Sequence, residues 1–225
     1  MIIAIDGPSG AGKSSVSRVV AKRLGYSCLD TGAMYRSVAW KALEDGVDLS
    51  DEAALTRIAQ TCEIAFGHEA GDPSPKFVYV DGQDVTSLIR TARIDQSVSA
   101  VSSVPGVRQA LVAQQQRIGA AGNYVIDGRD IGTVVFPGAE LKIFMTASAE
   151  ERAKRRVAQN QNRGVGSLDY EKVLEDIVAR DEVDANRATS PLRAADDAVL
   201  VDTSNITFQQ SVQKVCDLAK ERGLV

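Results

Sequence analysis

Eight consecutive residues, Gly7-Pro8-Ser9-Gly10-Ala11-Gly12-Lys13-Ser14, have the spacing Gly-x-x-x-x-Gly-Lys-Ser/Thr. Glycines at such positions let the backbone turn tightly, so that successive N–H groups can point inward at phosphate oxygens. A helix that starts at the lysine adds the positive end of its dipole at the same anion. Lys13 can then reach the β- and γ-phosphates, and the hydroxyl of Ser14, followed by Ser15, can serve a Mg²⁺ ion that accompanies ATP. The motif establishes nucleotide phosphate binding and leaves the acceptor open. No Asn-Lys-x-Asp guanine signature occurs in the chain, which argues against a GTPase switch, and 225 residues are few for a mechanical ATPase.

Further charged clusters follow. Asp127-Gly128-Arg129-Asp130 ends an apolar run, Tyr124-Val125-Ile126, and so brings polar groups to the end of a buried strand. There Arg129 is a candidate phosphate ligand, and Asp127 can act on the metal through water. Asp130 can accept a hydrogen bond from an exocyclic amine. Asp30-Thr31-Gly32-Ala33-Met34-Tyr35-Arg36 also follows a short strand, where ligands of parallel sheets bind. Arg36 is a candidate clamp for an acceptor phosphate, and Thr31 is either a ligand contact or a helix cap. Arg180, Asp184 and Arg187 are spaced i, i+4, i+7 and share one helix face, either as phosphate ligands or as a solvated ladder with Asp181 and Asp176. Arg152, Arg155, Arg156 and Arg163 flank a glycine-containing loop (Gly164, Gly166), an arrangement suited to a lid over residues 152–168 that keeps water from transferring phosphates.

These clusters need a scaffold that gathers them. Residues 1–5 read as a strand and 13–24 as a helix with Val16, Val19, Val20 and Leu24 on its apolar face. Strands are predicted at 27–29, 124–126, 141–145 and 198–201. Helices are predicted at 34–44, 52–62, 149–161, 169–186 and 207–222, with a mostly helical stretch at 98–119 interrupted near Pro105. This alternation predicts an α/β fold of three layers, a mainly parallel central sheet covered by helices. Between residues 63 and 90 the character changes to short strands at 64–66, 77–80 and 83–85, separated by Gly67, Gly71, Pro73, Pro75 and an Asp81-Gly82 turn. A small inserted antiparallel β region follows from that pattern.

Composition narrows the classes. A formal charge of -4 gives no reason to expect a nucleic-acid polymer, while 17 Arg against 9 Lys suits a site with several phosphates. Cys28, Cys62 and Cys216 are widely spaced and odd in number, as in a reducing compartment rather than a disulfide framework. No apolar run is long enough for a membrane span, and the first residues enter a strand with no basic leader. The single histidine, His68, lies among turn residues, which makes histidine-based acid–base or metal chemistry a poor fit. Phosphoryl transfer to a phosphate needs no such base, because the acceptor oxygen is already a nucleophile near neutral pH.

The segments IDGPSGAGKSS, LDTGAMYR, VTSLIRT, VSSVPGVRQAL, DGRDIGTVVFPGAELKIFMTAS, RDEVDANRATSPL and VLVDTS, in this order over essentially the whole chain, resemble the bacterial cytidylate kinases. DGRDIGTVVFP and the arginine helix are the most specific of them. The resemblance implies one nucleoside monophosphate kinase domain over residues 1–225 that transfers the γ-phosphoryl of ATP to CMP or dCMP with Mg²⁺, as a cytoplasmic monomer. Another nucleoside monophosphate or a small metabolite is the alternative acceptor. On this resemblance Gly7, Pro8, Ser9, Gly10, Ala11, Gly12, Lys13, Ser14 and Ser15 form the ATP loop. Ser99, Arg108 and Asp130 match the cytosine-recognising residues; Arg36, Arg129, Arg180 and Arg187 match the phosphate-binding arginines; Asp184 matches the residue near the acceptor sugar. Residues 31–110 correspond to the acceptor-binding region, with the family's insertion at about 63–97. Ser14-Ser15 stands where the family often has Gly-Thr, and Thr31 where serine is common; each retains a hydroxyl.

Overall fold

The first strand, β1 (Ile2–Asp6), is an uninterrupted apolar run closed by one acid, and all five residues are buried. Burial on both faces is what a central strand of a parallel sheet requires. In the computed structural model, which describes residues 1–187 and 189–225, β1 pairs in parallel with β6 (Tyr124–Gly128) on one side and β7 (Leu141–Thr146) on the other. β7 pairs in parallel with β8 (Val199–Asp202), and β2 (Ser27–Asp30) completes a five-stranded sheet of order β2-β6-β1-β7-β8.

Two units make up the chain, Met1–Cys28 with Asn123–Val225 and the intervening Leu29–Gly122. In the first, α1 (Lys13–Leu24) and α8 (Phe208–Glu221) flank the sheet. Val16 and Val20 of α1 and Val212 and Val215 of α8 join Ile3, Ile5, Val125, Ile143, Met145 and Val201 in one apolar core. Each such side chain contributes about 1.5–3 kcal/mol on burial. Val19 and Leu24, the rest of the expected apolar face of α1, pack at its edge. α6 (Ala149–Arg163) and α7 (Tyr170–Asn186) pair through Ala153, Val173 and Ile177. The motif stretch 180–192 includes residue 188, which lies outside the described residues.

The second unit holds α2 (Thr31–Glu44), α3 (Glu52–Thr61), an antiparallel sheet of β3 (Ile64–His68), β4 (Pro75–Val80) and β5 (Gln83–Asp84), then α4 (Ala92–Ser103) and α5 (Pro105–Gly119). α2 begins three residues before the expected start, because the Asp30 side chain accepts a hydrogen bond from the Ala33 amide at 3.0 Å and caps the helix. Thr31 is therefore the first helical residue, and the cap is its neighbour. Pro105 opens α5, where a missing N–H costs nothing, and so explains the break before it. The β4–β5 turn places Asp81 and Gly82 at φ 51° and 80°, as a tight hairpin of this type demands.

Candidate active site

The loop between β1 and α1 is shaped by contact as well as by glycine freedom. Gly7 has φ 146°, and a Cβ there would lie 1.9 Å from the Met145 carbonyl oxygen of the adjacent strand. No residue but glycine fits without moving β1 away from β7. Lys13, first residue of α1, is buried, and its Nζ donates to the Pro8 carbonyl at 2.8 Å, within the loop itself. Burial, then the charge of Arg129, hold its pKa well below the ordinary lysine value against the pull of Asp127, Asp6 and Asp184. Ser14 Oγ donates to Asp127 Oδ2 at 2.6 Å, so the hydroxyl after the loop lysine and the acid near the end of β6 stand side by side.

Arg129 reaches from the end of β6 to α7, its Nε donating to Asp184 Oδ2 at 2.9 Å. Arg187 Nη1 lies 3.7 Å from Asp184 Oδ1, and its Nη2 donates to the Ser190 carbonyl at 2.9 Å. Arg187 is the first residue past α7 and folds back to the face carrying Asp184. Burial alone raises the Asp184 pKa, but Arg129, Arg180 and Arg187 together outweigh it and hold the carboxyl below the usual carboxylate range. Asp184 is 6% exposed, unlike an acid of a solvated ladder. Asp181, one of the two acids proposed as partners in that ladder, pairs instead with Arg152, at 2.6 Å. Asp130 is buried directly after Arg129. Lys13, Asp127, Arg129, Asp184, Arg180 and Arg187 thus share one electrostatic neighbourhood, which the sequence scatters over 175 positions.

The four arginines of 152–163 occupy different settings. Arg152 is 5% exposed; its Nε donates to the Ala147 carbonyl and its Nη1 to the Ser9 carbonyl of the phosphate loop. Arg155 donates to the Ala11 carbonyl and, through both terminal nitrogens, to Thr203. Arg156 donates to Ser9 Oγ at 3.0 Å, and Arg163 is exposed at the end of α6. Three guanidinium groups therefore brace the loop through Ser9 and Ala11. Helical spacing alone gives no sign of this, because Ser9, Ala11 and Asp181 lie 29 to 147 positions from the arginines they meet.

In the second unit, Arg36 of α2 bonds Asp95 of α4 through Nε and Nη2, at 3.4 and 3.1 Å. Ser99 lies one turn along α4 from Asp95 and is half-buried. Arg108 of α5 is buried, donates to the Ser102 carbonyl at 3.1 Å and stacks over the Tyr35 ring at 5.4 Å. Tyr35, Asp95, Asp30 and Arg90 were not singled out by sequence; Arg90 lies 3.8 Å from Asp30. Their signal was weak, since each reads as an ordinary cap or surface charge. Among the described residues no group of three or more His, Cys, Asp or Glu side chains forms a metal cage.

Comparison with known proteins identifies the family. The cytidylate kinase family model matches residues 3–221. A cytidylate kinase of Rhodococcus jostii is 50% identical over 223 residues, which cover 99% of this chain and 96% of that one. A bifunctional pantoate ligase/cytidylate kinase of Trichodesmium erythraeum is 45% identical over 219 residues; these cover 97% of this chain and 41% of that longer protein. A solved structure, an uncharacterised protein from Eubacterium ventriosum, shares the fold with a TM-score of 0.50 at 12% identity, over 96% of each chain. With a phosphate loop, an arginine–aspartate cluster at its side and a family match over almost its whole length, the chain belongs to the cytidylate kinase family.

Proposed function

We propose that this chain transfers the γ-phosphoryl group of ATP to CMP or dCMP, giving ADP and CDP or dCDP. The observation that carries the reading is the meeting of Lys13 and the Ser14–Asp127 pair with Arg129, Asp184 and Arg187 in one unit, on a chain of this family. The loop amides and Lys13 hold the donor phosphates. When nucleotide arrives, Lys13 needs only to leave the Pro8 carbonyl for a stronger anionic partner, which also favours its charged form. Arg129, Arg180 and Arg187, with Arg36, hold the acceptor phosphate and neutralise charge as the phosphoryl group moves. The acceptor oxygen is already ionised, so alignment and charge neutralisation carry the rate.

Ser99, Arg108 and Asp130 recognise the cytosine, Thr31 joins the acceptor contacts, and Asp184 lies near the sugar. Ser14 and Asp127 present hard oxygen donors side by side at the loop, which suits Mg²⁺, an ion that takes one or two protein ligands and completes its shell with phosphates and water. Held by Ser14 and Asp127, Mg²⁺ would offset the charge of the phosphates. Residues 152–168, with Arg152, Arg155, Arg156 and Arg163, act as a lid, residues 31–110 bind the acceptor, and the protein works as a cytoplasmic monomer. No helix among the described residues is long and apolar enough to cross a membrane.

A coupled ADP-release assay across CMP, dCMP, UMP, AMP and shikimate tests the reading. CMP and dCMP are expected to support turnover best. A preference for AMP or shikimate would replace the acceptor, and ATP binding without turnover of any of the five would remove the activity.

A further inference from the structure

Asp6 carries no role in the phosphate-loop motif, yet it is among the most enclosed acids of the chain, 4% exposed at the end of β1. Its two oxygens each accept a hydrogen bond of 2.7 Å, Oδ1 from the Ile131 amide and Oδ2 from the Gly132 amide. Those two amides open a single π-helical turn, Ile131–Val135, directly after Asp130. On its other side, the Asp130 carbonyl accepts from the amides of Val134 and Val135 at 2.9 and 3.1 Å. Asp130 itself has φ -144° and ψ 26°, away from both helix and strand.

Gly132 shows how closely the turn is held. A Cβ there would meet Lys142 Cδ at 3.1 Å, Lys142 Cγ at 3.2 Å and Asp6 Oδ2 at 3.4 Å. The turn is thus pressed between the Asp6 carboxylate and the stem of Lys142, whose Nζ is in turn fixed to Asp197 at 2.9 Å. Burial pushes the Asp6 pKa up to about 6, while the two amide bonds pull it down. An acid kept in so unfavourable a setting, when an apolar residue would extend the strand, is retained for what it holds.

We propose that Asp6 is a positioning residue for acceptor recognition: by gripping the Ile131 and Gly132 amides it fixes the direction in which Arg129 and Asp130 present their side chains to the cytidine monophosphate. The proposal rests on the reading of Arg129 and Asp130 as acceptor contacts. Asp6→Asn keeps the shape but leaves one acceptor oxygen for two amides and turns an NH₂ group toward the other. Gly132→Ala disturbs the same turn from the Lys142 side without altering β1 or the phosphate loop.

The test measures KM for CMP, affinity for a non-hydrolysable ATP analogue by calorimetry, and thermal unfolding, with Arg129→Lys as reference. Expected is a rise in CMP KM of about tenfold or more in Asp6→Asn and in Gly132→Ala, as for loss of a hydrogen bond to a charged group, with ATP-analogue affinity kept within about threefold. Should Asp6→Asn not fold, Gly132→Ala decides. An unchanged CMP KM in the folded variants, with Arg129→Lys impaired, overturns the positioning role and leaves the acceptor site standing. Equal losses for CMP and the ATP analogue overturn it too, reducing Asp6 to general support. If Arg129→Lys is also unimpaired, the acceptor assignment falls together with the proposal.

Discussion

Removing the Asp184 carboxylate should have two separable effects. Asp184 is buried between Arg129, at 2.9 Å, and Arg187, at 3.7 Å, and Arg180 adds a third positive charge nearby. In Asp184→Ala these guanidinium groups face one another, and Lys13, without their shared counter-ion. Breaking a buried ion pair by removing one partner costs about 3–5 kcal/mol. Arg129 is 21% exposed and can draw on water, so the lower figure, about 3 kcal/mol, is appropriate. For a chain of this size that lowers the unfolding temperature by roughly 6–12 °C. The loss depends on pH in a defined sense. The folded-state pKa lies below the ordinary value of 3.8, so the stabilisation is complete above 3.8 and disappears as pH falls through the folded value. The gap between parent and variant should therefore close in acid. The second effect concerns the sugar: if Asp184 accepts from the 2′-hydroxyl, kcat/KM for CMP falls roughly tenfold further than for dCMP. Thermal unfolding at pH 7 and near pH 3, alongside saturation kinetics with both acceptors, measures the two effects independently. A variant melting within about 2 °C of the parent would refute the buried-cluster argument, and an unchanged CMP-to-dCMP ratio would remove the sugar contact.

Lys13→Ala should abolish most turnover, because its charge follows the migrating phosphoryl group. Activity within about threefold of the parent at saturating ATP would dismiss that role. Asp130→Asn should lower the preference for CMP over UMP by roughly 5- to 150-fold in kcat/KM, since an amide can donate where a carboxylate only accepts. Gly7→Ala, whose Cβ would sit 1.9 Å from the Met145 carbonyl oxygen, should destabilise by more than the about 1–3 kcal/mol of ordinary overpacking, read from urea unfolding. The Asp6 pKa is raised from 3.8 to about 6 by burial, so its stabilising contribution is complete below 3.8 and is lost as pH rises through 6. Relative to Asp6→Asn, the parent should therefore lose about 3 kcal/mol over that window in pH-dependent unfolding, and parallel curves would contradict the shift.

What sequence revealed and what it hid divide along the reach of the interactions. The phosphate loop, the α1 face of Val16, Val19 and Val20, the break at Pro105 and the Asp81-Gly82 hairpin are all decided by residues within a few positions of one another. They were legible for that reason. The start of α2 was missed because Asp30 reads as a polar turn until its side chain is seen to cap the Ala33 amide. The π-helical turn at Ile131 has no local pattern; it depends on Asp6, 125 positions earlier. Arg152 reads from sequence as one of four lid arginines, and only its contacts with Ser9 and Asp181 reveal it as enclosed. The arginines near Asp184 were recognisable from their spacing and family pattern, whereas the bond from Arg129 to Asp184 needed the fold.

The placement of β1 in the sheet also matters while the chain is being made. Both of its partners, β6 and β7, begin more than 120 residues later, so this apolar strand is synthesised before either of them and paired late. At about 5–20 residues per second, a ribosome leaves β1 without its neighbours for roughly 6–24 s. During that interval the Leu29–Gly122 unit emerges in full, while Ile2, Ile3 and Ile5 still lack the strands that will cover them. The nascent chain therefore carries an unpaired apolar strand for the whole of that interval, an aggregation hazard that a chaperone bound to β1 would relieve.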